Sequence, residues 1–219
     1  MVDCKDIKLE ESGDSKSSQL FEIRHGSVQI SSSEFTDIDA TSGLTAAGQQ
    51  SLKCEELTLK TLKLRKSVMH LKGDDVVVKG VKIEAVAINP LANAQLFQFH
   101  ADQLDSSTLA LAGFYVTNLK DTELTKSSDV LSTQFLNLKS HTVTLTKVAF
   151  ADIDATSGIA VDAKAKVDVS TLRWSGVNNF RKSFIDMVGD SIRLAESSLD
   201  NLNVDPLGPA GSKDPAILF

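Results

Sequence analysis

Apolar and polar residues follow one recurring frame along most of this chain: apolar, any residue, apolar, four residues, apolar, two residues, apolar. The frame reads Val28, Ile30, Phe35, Ile38, then Leu52, Cys54, Leu59, Leu62, then Val76, Val78, Ile83, Val86. Leu104, Leu111 and Phe114 follow, with Ser106 in the second slot, and Leu124 and Leu131 give a degraded copy with Lys126 and Gln134 in its other slots. The frame recovers at Val143, Leu145, Phe150, Ile153, continues through Val167, Val169, Trp174, Val177, and closes at Ile192, Leu194, Leu199, Leu202. An apolar pair often precedes it, as at Phe21 and Ile23 or Met69 and Leu71. Period-2 pairs of β-branched and large apolar residues mark short strands with one buried face. Ser, Gly, Asp and Asn fall between them, where bends are needed.

Residues 35–43 read FTDIDATSG and residues 150–158 read FADIDATSG. The offset of 115 residues is five times 23, and successive copies of the frame are 19 to 28 residues apart. A repeat of that length points to a solenoid whose units cannot bury their apolar faces alone and must stack. The expected fold is all-β: a right-handed parallel β-helix of about eight turns of 23–24 residues, roughly 35–40 Å long at ordinary inter-strand spacing. The alternative is an antiparallel β-sandwich or jelly roll, which also alternates but has no reason to echo at a multiple of its local period.

The pattern divides the chain into three parts. Residues 1–19 are a polar lead-in or cap, 20–204 a single solenoid domain, and 205–219 (DPLGPAGSKDPAILF) a Pro/Gly-rich tail or linker. Repeated proline breaks a ladder of backbone donors. Phe180, Phe184, Met187 and Val188 stand at helical spacing, so 178–188 is the one helix candidate, and 178–190 a candidate cap. It competes with a strand pair at Ile185 and Met187.

Composition narrows the function classes. The net charge of −6 opposes a phosphate-backbone partner, so no nucleic acid is expected. No stretch approaches the roughly 18 apolar residues of a membrane helix, so no membrane insertion is expected. The first residues lack the apolar core of a signal peptide. Cys4 and Cys54 make neither a disulfide framework nor a metal spacing, and Cys54 occupies an inward slot.

The segments VTLTKVAFADIDATSG, KVDVSTLRWSG and DDVVVKGVKIEAV resemble coils of right-handed parallel β-helices of the filamentous-haemagglutinin and autotransporter-passenger type. The resemblance implies an exported, largely non-enzymatic rod used for adhesion or display. The expected protein is then a structural or adhesive β-rod, secreted or at the cell surface as part of a longer chain. It would meet a protein or cell-surface partner, and its solenoid ends offer a route to self-association. The alternatives are a carbohydrate-active enzyme on the same scaffold, either polysaccharide lyase or glycosidase, and a cytoplasmic interaction module.

Candidate chemistry is sparse. Asp37, Asp39, Asp152 and Asp154 are calcium candidates, with oxygens at alternate positions, but the EF-hand glycine and twelfth-position acid are missing. Ser-Gly corners after a strand account for the same residues, and the four aspartates are expected to be largely exposed. Gly73-Asp74-Asp75 resembles the acidic pair of polygalacturonases, yet the family's Asn-Thr-Asp and following Gly-His-Gly segments are absent, and Arg24-His25-Gly26 precedes the pair. Adjacent residues of a strand face opposite ways, so Asp74 and Asp75 assemble no dyad. His25, His70, His100 and His141 fall on different turns. No catalytic residue, metal or cofactor is therefore expected.

Overall fold

The computed structural model describes residues 19–90, 93–102, 106–122 and 132–204. They form stacked parallel coils, a β-solenoid of about seven turns with no helix among them. Coil 1 is β1 (Gln19–Asp39) and coil 2 is β2 (Ser42–Leu64). Coil 3 comprises β3 (Ser67–Gly73) and β4 (Asp75–Ile88), and coil 4 comprises β5 (Ala94–Ala101) and β6 (Thr108–Asp121). Coil 5 is β7 (Thr133–Ala155), and coil 6 is β8 (Ser157–Ser175) with β9 (Asn178–Phe180). Coil 7 runs through β10 (Ile185–Val188), β11 (Ser191–Ala195), β12 (Ser198–Leu199) and β13 (Leu202–Val204). Every pairing between successive coils is parallel.

Register explains the recurring frame. Val28 pairs with Leu52, Leu52 with Val76, and Val76 with Leu109. Leu109 then pairs with Val143, Val143 with Val167, and Val167 with Ile192. Like residues stack in columns, and the inward columns make one continuous core. Phe35, Phe150, Val28, Val143, Val76 and Val78 are all buried in it, as their slots require. From coil 4 onward the core carries an aromatic spine. Phe97 lies 5.6 Å from Phe114, Phe150 4.6 Å from Trp174, and Trp174 4.9 Å from Phe184, measured between ring centroids.

The coils bend at two columns of left-handed residues. The first runs Ser32, Glu56, Gly80, Gly113, Lys147, Thr171, Glu196, and the second Asp37, Thr61, Ala85, Asn118, Asp152, Gly176, Asn201, all with φ between 48° and 71°. Each column takes one residue from every coil. A left-handed residue reverses the in-and-out alternation and turns the strand, at a cost of about 1–2 kcal/mol for a non-glycine residue. Only a stack that fixes the path from both sides holds so many of them.

Three expectations change. The described residues form about seven coils where the frame counted about eight, because the frame slipped in coil 4. Its true members there are Leu109, Leu111, Val116 and Leu119, which pair with Val76, Val78, Ile83 and Val86. Residues 123–131, holding most of the degraded copy, lie outside the described residues. Residues 178–188 form no helix: β9 and β10 pair with neighbouring coils, a bend at 181–184 joins them, and Phe180 and Phe184 are buried. Ladder pairing and aromatic burial override a helical spacing only three turns long. The closing copy is not inward in effect: Ile192, Leu194 and Leu199 are exposed at the end of the stack. The lead-in through residue 18 and the tail at 205–219 lie outside the described residues.

Candidate functional site

Each coil has a corner where its first straight segment ends, and in coils 2–6 that corner is lined by small residues. His25 pairs with Gly48, Gly73 with Ala101, and Ser140 with Ala163. A Cβ on Gly48 would collide with the backbone oxygen of Ser51, and one on Gly73 would sit 3.2 Å from the oxygens of Asp75 and Gly48. The missing side chains leave a recess on coils 1–4. It is an open cleft of about 430 Å³ lined by Arg24, His25, Gly26, Gln49, Lys72, Asp74 and Asp102, among others.

The cleft joins residues that sequence order kept apart. Arg24-His25-Gly26 and Gly73-Asp74 sit two coils apart, and both line it. Asp102 follows Ala101, the register partner of Gly73, and its N–H donates to the Gly73 carbonyl at 2.8 Å. Asp74 and Asp102 are therefore neighbours across one coil step, about 4.8 Å of backbone spacing. Neither carboxylate shows a side-chain hydrogen bond or ion pair within the described residues. Register, rather than adjacency, thus sets two aspartates, Asp74 and Asp102, on successive coils along one cleft. Asp102 went unnoticed because the six residues after Ala101 break the frame. The visible signal was the apolar-any-small triplet of Leu71-Lys72-Gly73 and Phe99-His100-Ala101, each followed by aspartate.

Asp75 is occupied elsewhere. Its Oδ1 accepts the backbone N–H and hydroxyl of Thr108 at 2.9 and 2.7 Å, tying coil 3 to coil 4. Arg24 is partly engaged by Glu22 at 2.5 Å. Lys72 and His25 stay exposed at the rim.

The calcium candidates are corner residues. Asp37 and Asp152 occupy the second left-handed column, at φ 55° and 56°. Asp37 is exposed, but Asp39, Asp152 and Asp154 are half-buried, contrary to expectation, because each serves the next coil. Asp39 pairs with Arg65 at 3.2 Å, Asp152 accepts the Val177 N–H at 2.9 Å, and Asp154 accepts from the Asn179 amide. The rest of DIDATSG is equally structural. Thr41 and Thr156 are buried, and each carbonyl accepts two successive N–H groups one coil on, from Arg65 and Lys66 or from Arg181 and Lys182. Gly43 and Gly158 lie so close to the backbones of Val68 and Phe184 that a Cβ would clash. Phe35 and Phe150 stand four coil steps apart, so the two aspartate pairs are on the order of 19 Å apart. Among the described residues no three His, Cys, Asp or Glu side chains converge to hold a metal ion.

The histidines divide between corner and face. His25 lies at the cleft, and His141 at the same corner of coil 5, four steps away. His70 and His100 meet on the outer face of coils 3 and 4, ring centroids 6.2 Å apart. Burial pushes the His100 imidazole down to about 4, helped by His70, Lys139 and Lys72. Burial lowers His70 too, with Lys72 and Lys66 adding to it. Cys54 is buried, and burial pushes its thiol up to about 12, so it is an inert core residue.

No family model, no curated protein and no solved structure matches this chain.

Proposed function

We propose that this chain is a non-enzymatic β-rod, of the adhesive or display kind found in filamentous-haemagglutinin and autotransporter-passenger proteins, working outside the cell. The observation that carries the reading is where the carboxylates go. Asp39, Asp75, Asp152 and Asp154 each bind a donor on the neighbouring coil, so these four acids hold the stack. Binding would use the cleft at the small-residue corner, where Arg24, His25 and Lys72 stand across from Asp74 and Asp102. Mixed charge around a shallow recess suits a polar surface ligand such as a glycan or a peptide loop.

The Asp74–Asp102 neighbourhood favours one second reading, a carbohydrate-active enzyme on this scaffold. Two carboxylates about 5–10 Å apart can serve as acid and base or nucleophile. One assay separates the two. The purified chain is incubated with uronate polymers and neutral glucans, while reducing ends and unsaturated products are followed. The rod reading expects no turnover, with retention of some of these polymers on the immobilised chain that Lys72→Ala and Asp74→Ala weaken together. Turnover abolished by Asp74→Asn or Asp102→Asn would establish the enzyme instead.

A further inference from the structure

One outer face of this acidic chain carries no acid across three successive coils. On the first straight segment of coils 3–5, two columns of side chains point outward on either side of the buried Leu71, Phe99 and Leu138. One column runs His70, Gln98, Asn137, and the other Lys72, His100, Lys139. Gln95 and Gln134 stand beside them on coils 4 and 5. On the coil 2 side the columns continue as Thr45 and Ala47. An acid closes the patch only on coil 6, where Asp162 follows Lys139 in register and lies 3.8 Å from it.

The two histidines report the local potential. Their ring centroids are 6.2 Å apart. Both are held below the ordinary imidazole value, first by burial, with Lys72 and Lys66 adding to it at His70 and Lys139 and Lys72 at His100. A negative group set among these side chains would meet positive potential that Asp162 alone opposes.

The geometry of the face narrows the occupant. β3 is paired with β2 and β5, and β5 with β3 and β7, so no peptide strand can be added to them. Two lysines on a chain of net charge −6 are too few to hold a phosphate backbone or an anionic lipid surface. Lys72 and Lys139 stand two coil steps apart, about 10 Å. The parallel column sets the amides of Gln98 and Asn137 beside them, each able to donate to and accept from hydroxyls. The matching ligand has sparse carboxylates along one edge and many hydroxyls next to them.

We propose that the outer face of coils 3–5 is a docking platform for an acidic polysaccharide, its chain running along the solenoid axis with carboxylates over Lys72 and Lys139 and hydroxyls over Gln98 and Asn137. The platform adjoins the cleft through Lys72 but is a separate surface, and it stands whether the cleft binds, cleaves or does neither.

The test follows the ring signals of the four histidines by NMR in the full chain, titrated with hexagalacturonate. His70→Gln and His100→Gln assign the two platform signals. At saturation the apparent pKa of both rings should rise by about one pH unit, because a carboxylate favours the charged imidazole. By reciprocity the oligomer should bind about tenfold tighter to the protonated form. Lys139→Ala should raise the half-saturating concentration at least about threefold. Asp74→Ala, a change in the cleft, should leave the platform signals as they are, and neutral dextran oligomers should leave them silent. The cleft is read separately at His25. A response at His25 alone places the oligomer in the cleft and overturns the platform while the rod reading stands. Silence at His70 and His100, or equal responses to dextran, to duplex DNA or to polyglutamate at matched charge, overturns the acidic-polysaccharide assignment.

Discussion

Asp152 and Gly176 are neighbours in one corner column, and the carboxylate of the first fills the space that a side chain on the second would need. A Cβ on Gly176 would collide with Asp152 Oδ1, the atom that accepts the Val177 N–H at 2.9 Å. Gly176 also stands at φ +71°. Gly176→Ala should therefore lower stability by about 2–3 kcal/mol, from left-handed strain and the lost hydrogen bond. Asp152→Ala should cost about 1 kcal/mol. The double variant should lose less than the two single losses combined, because removing the carboxylate makes room for the new methyl. Additive losses in urea unfolding would show that the two residues do not share that space.

Position in the stack should grade the cost of core truncation. Phe150 packs between Phe135 and Trp174, with ring centroids at 4.9 and 4.6 Å, and Phe114 lies at 6.2 Å. Phe35 has one aromatic contact among the described residues, Phe21 at 5.2 Å. Phe150→Ala should cost about 3–5 kcal/mol. Phe35→Ala should cost less, since coil stability comes from nearest neighbours and coil 1 has one fewer among the described strands. Equal losses on denaturant titration would argue that the stack melts as a single unit blind to position.

Much of this architecture could be read from sequence, because inward columns repeat their chemistry coil after coil. Where spacing stayed at 24 or 25 residues, the frame named the right columns except at Val177, which is exposed while buried Asn178 takes the inward slot beside Ile153. It failed in coil 4 because β4 pairs with β6 at an offset of 33, and β6 with β7 at 34. Phe114 is inward too, in a column with Val81 and Val148, and so passed for a member of the frame. The 115-residue echo equals five times 23, yet register carries Phe35 to Phe150 in four steps, through Leu59, Ile83 and Val116. The cleft was harder to see. Its residues come from four coils, and only register brings Asp102 beside Asp74. The left-handed columns carry little compositional signal, since Thr, Glu, Lys and Ala stand in them beside Gly, Asn and Asp.

That last point makes a direct prediction. Thr61 is exposed in the second left-handed column at φ 54°, a poor conformation for a β-branched residue. Asn118 and Asn201 occupy the same column. Thr61→Asn should raise stability by about 1 kcal/mol, because asparagine tolerates that region. Thr45→Asn, on the outer face of β2, should give no such gain. Matching melting temperatures for wild type and Thr61→Asn would mean that the corner strain is relieved in another way.

The outer face of coils 3 and 4 should make stability depend on pH through His100. Its imidazole is half-buried and faces His70, Lys72 and Lys139, with only Asp162 opposing them, and Asp162 is itself 3.8 Å from Lys139. The folded value of about 4 lies below the ordinary 6.5. Between these limits the unfolded chain binds a proton that the folded chain refuses, so unfolding is favoured as pH falls. Stability contributed by a neutral His100 is complete above about pH 6.5 and declines toward pH 4, below which both states are protonated. His70 is shifted in the same direction and adds to the slope. Half of each ring is open to solvent, so screening keeps the effect modest. Urea midpoints at pH 7, 6, 5 and 4.5 should fall steadily for the wild type and less steeply for His100→Gln, with His70→Gln intermediate. Glutamine preserves the polar contact that His100 makes with Gln98, at 3.3 Å, without a titrating ring. A His100→Gln profile parallel to wild type across that range would show that His100 is not the source of the acid sensitivity.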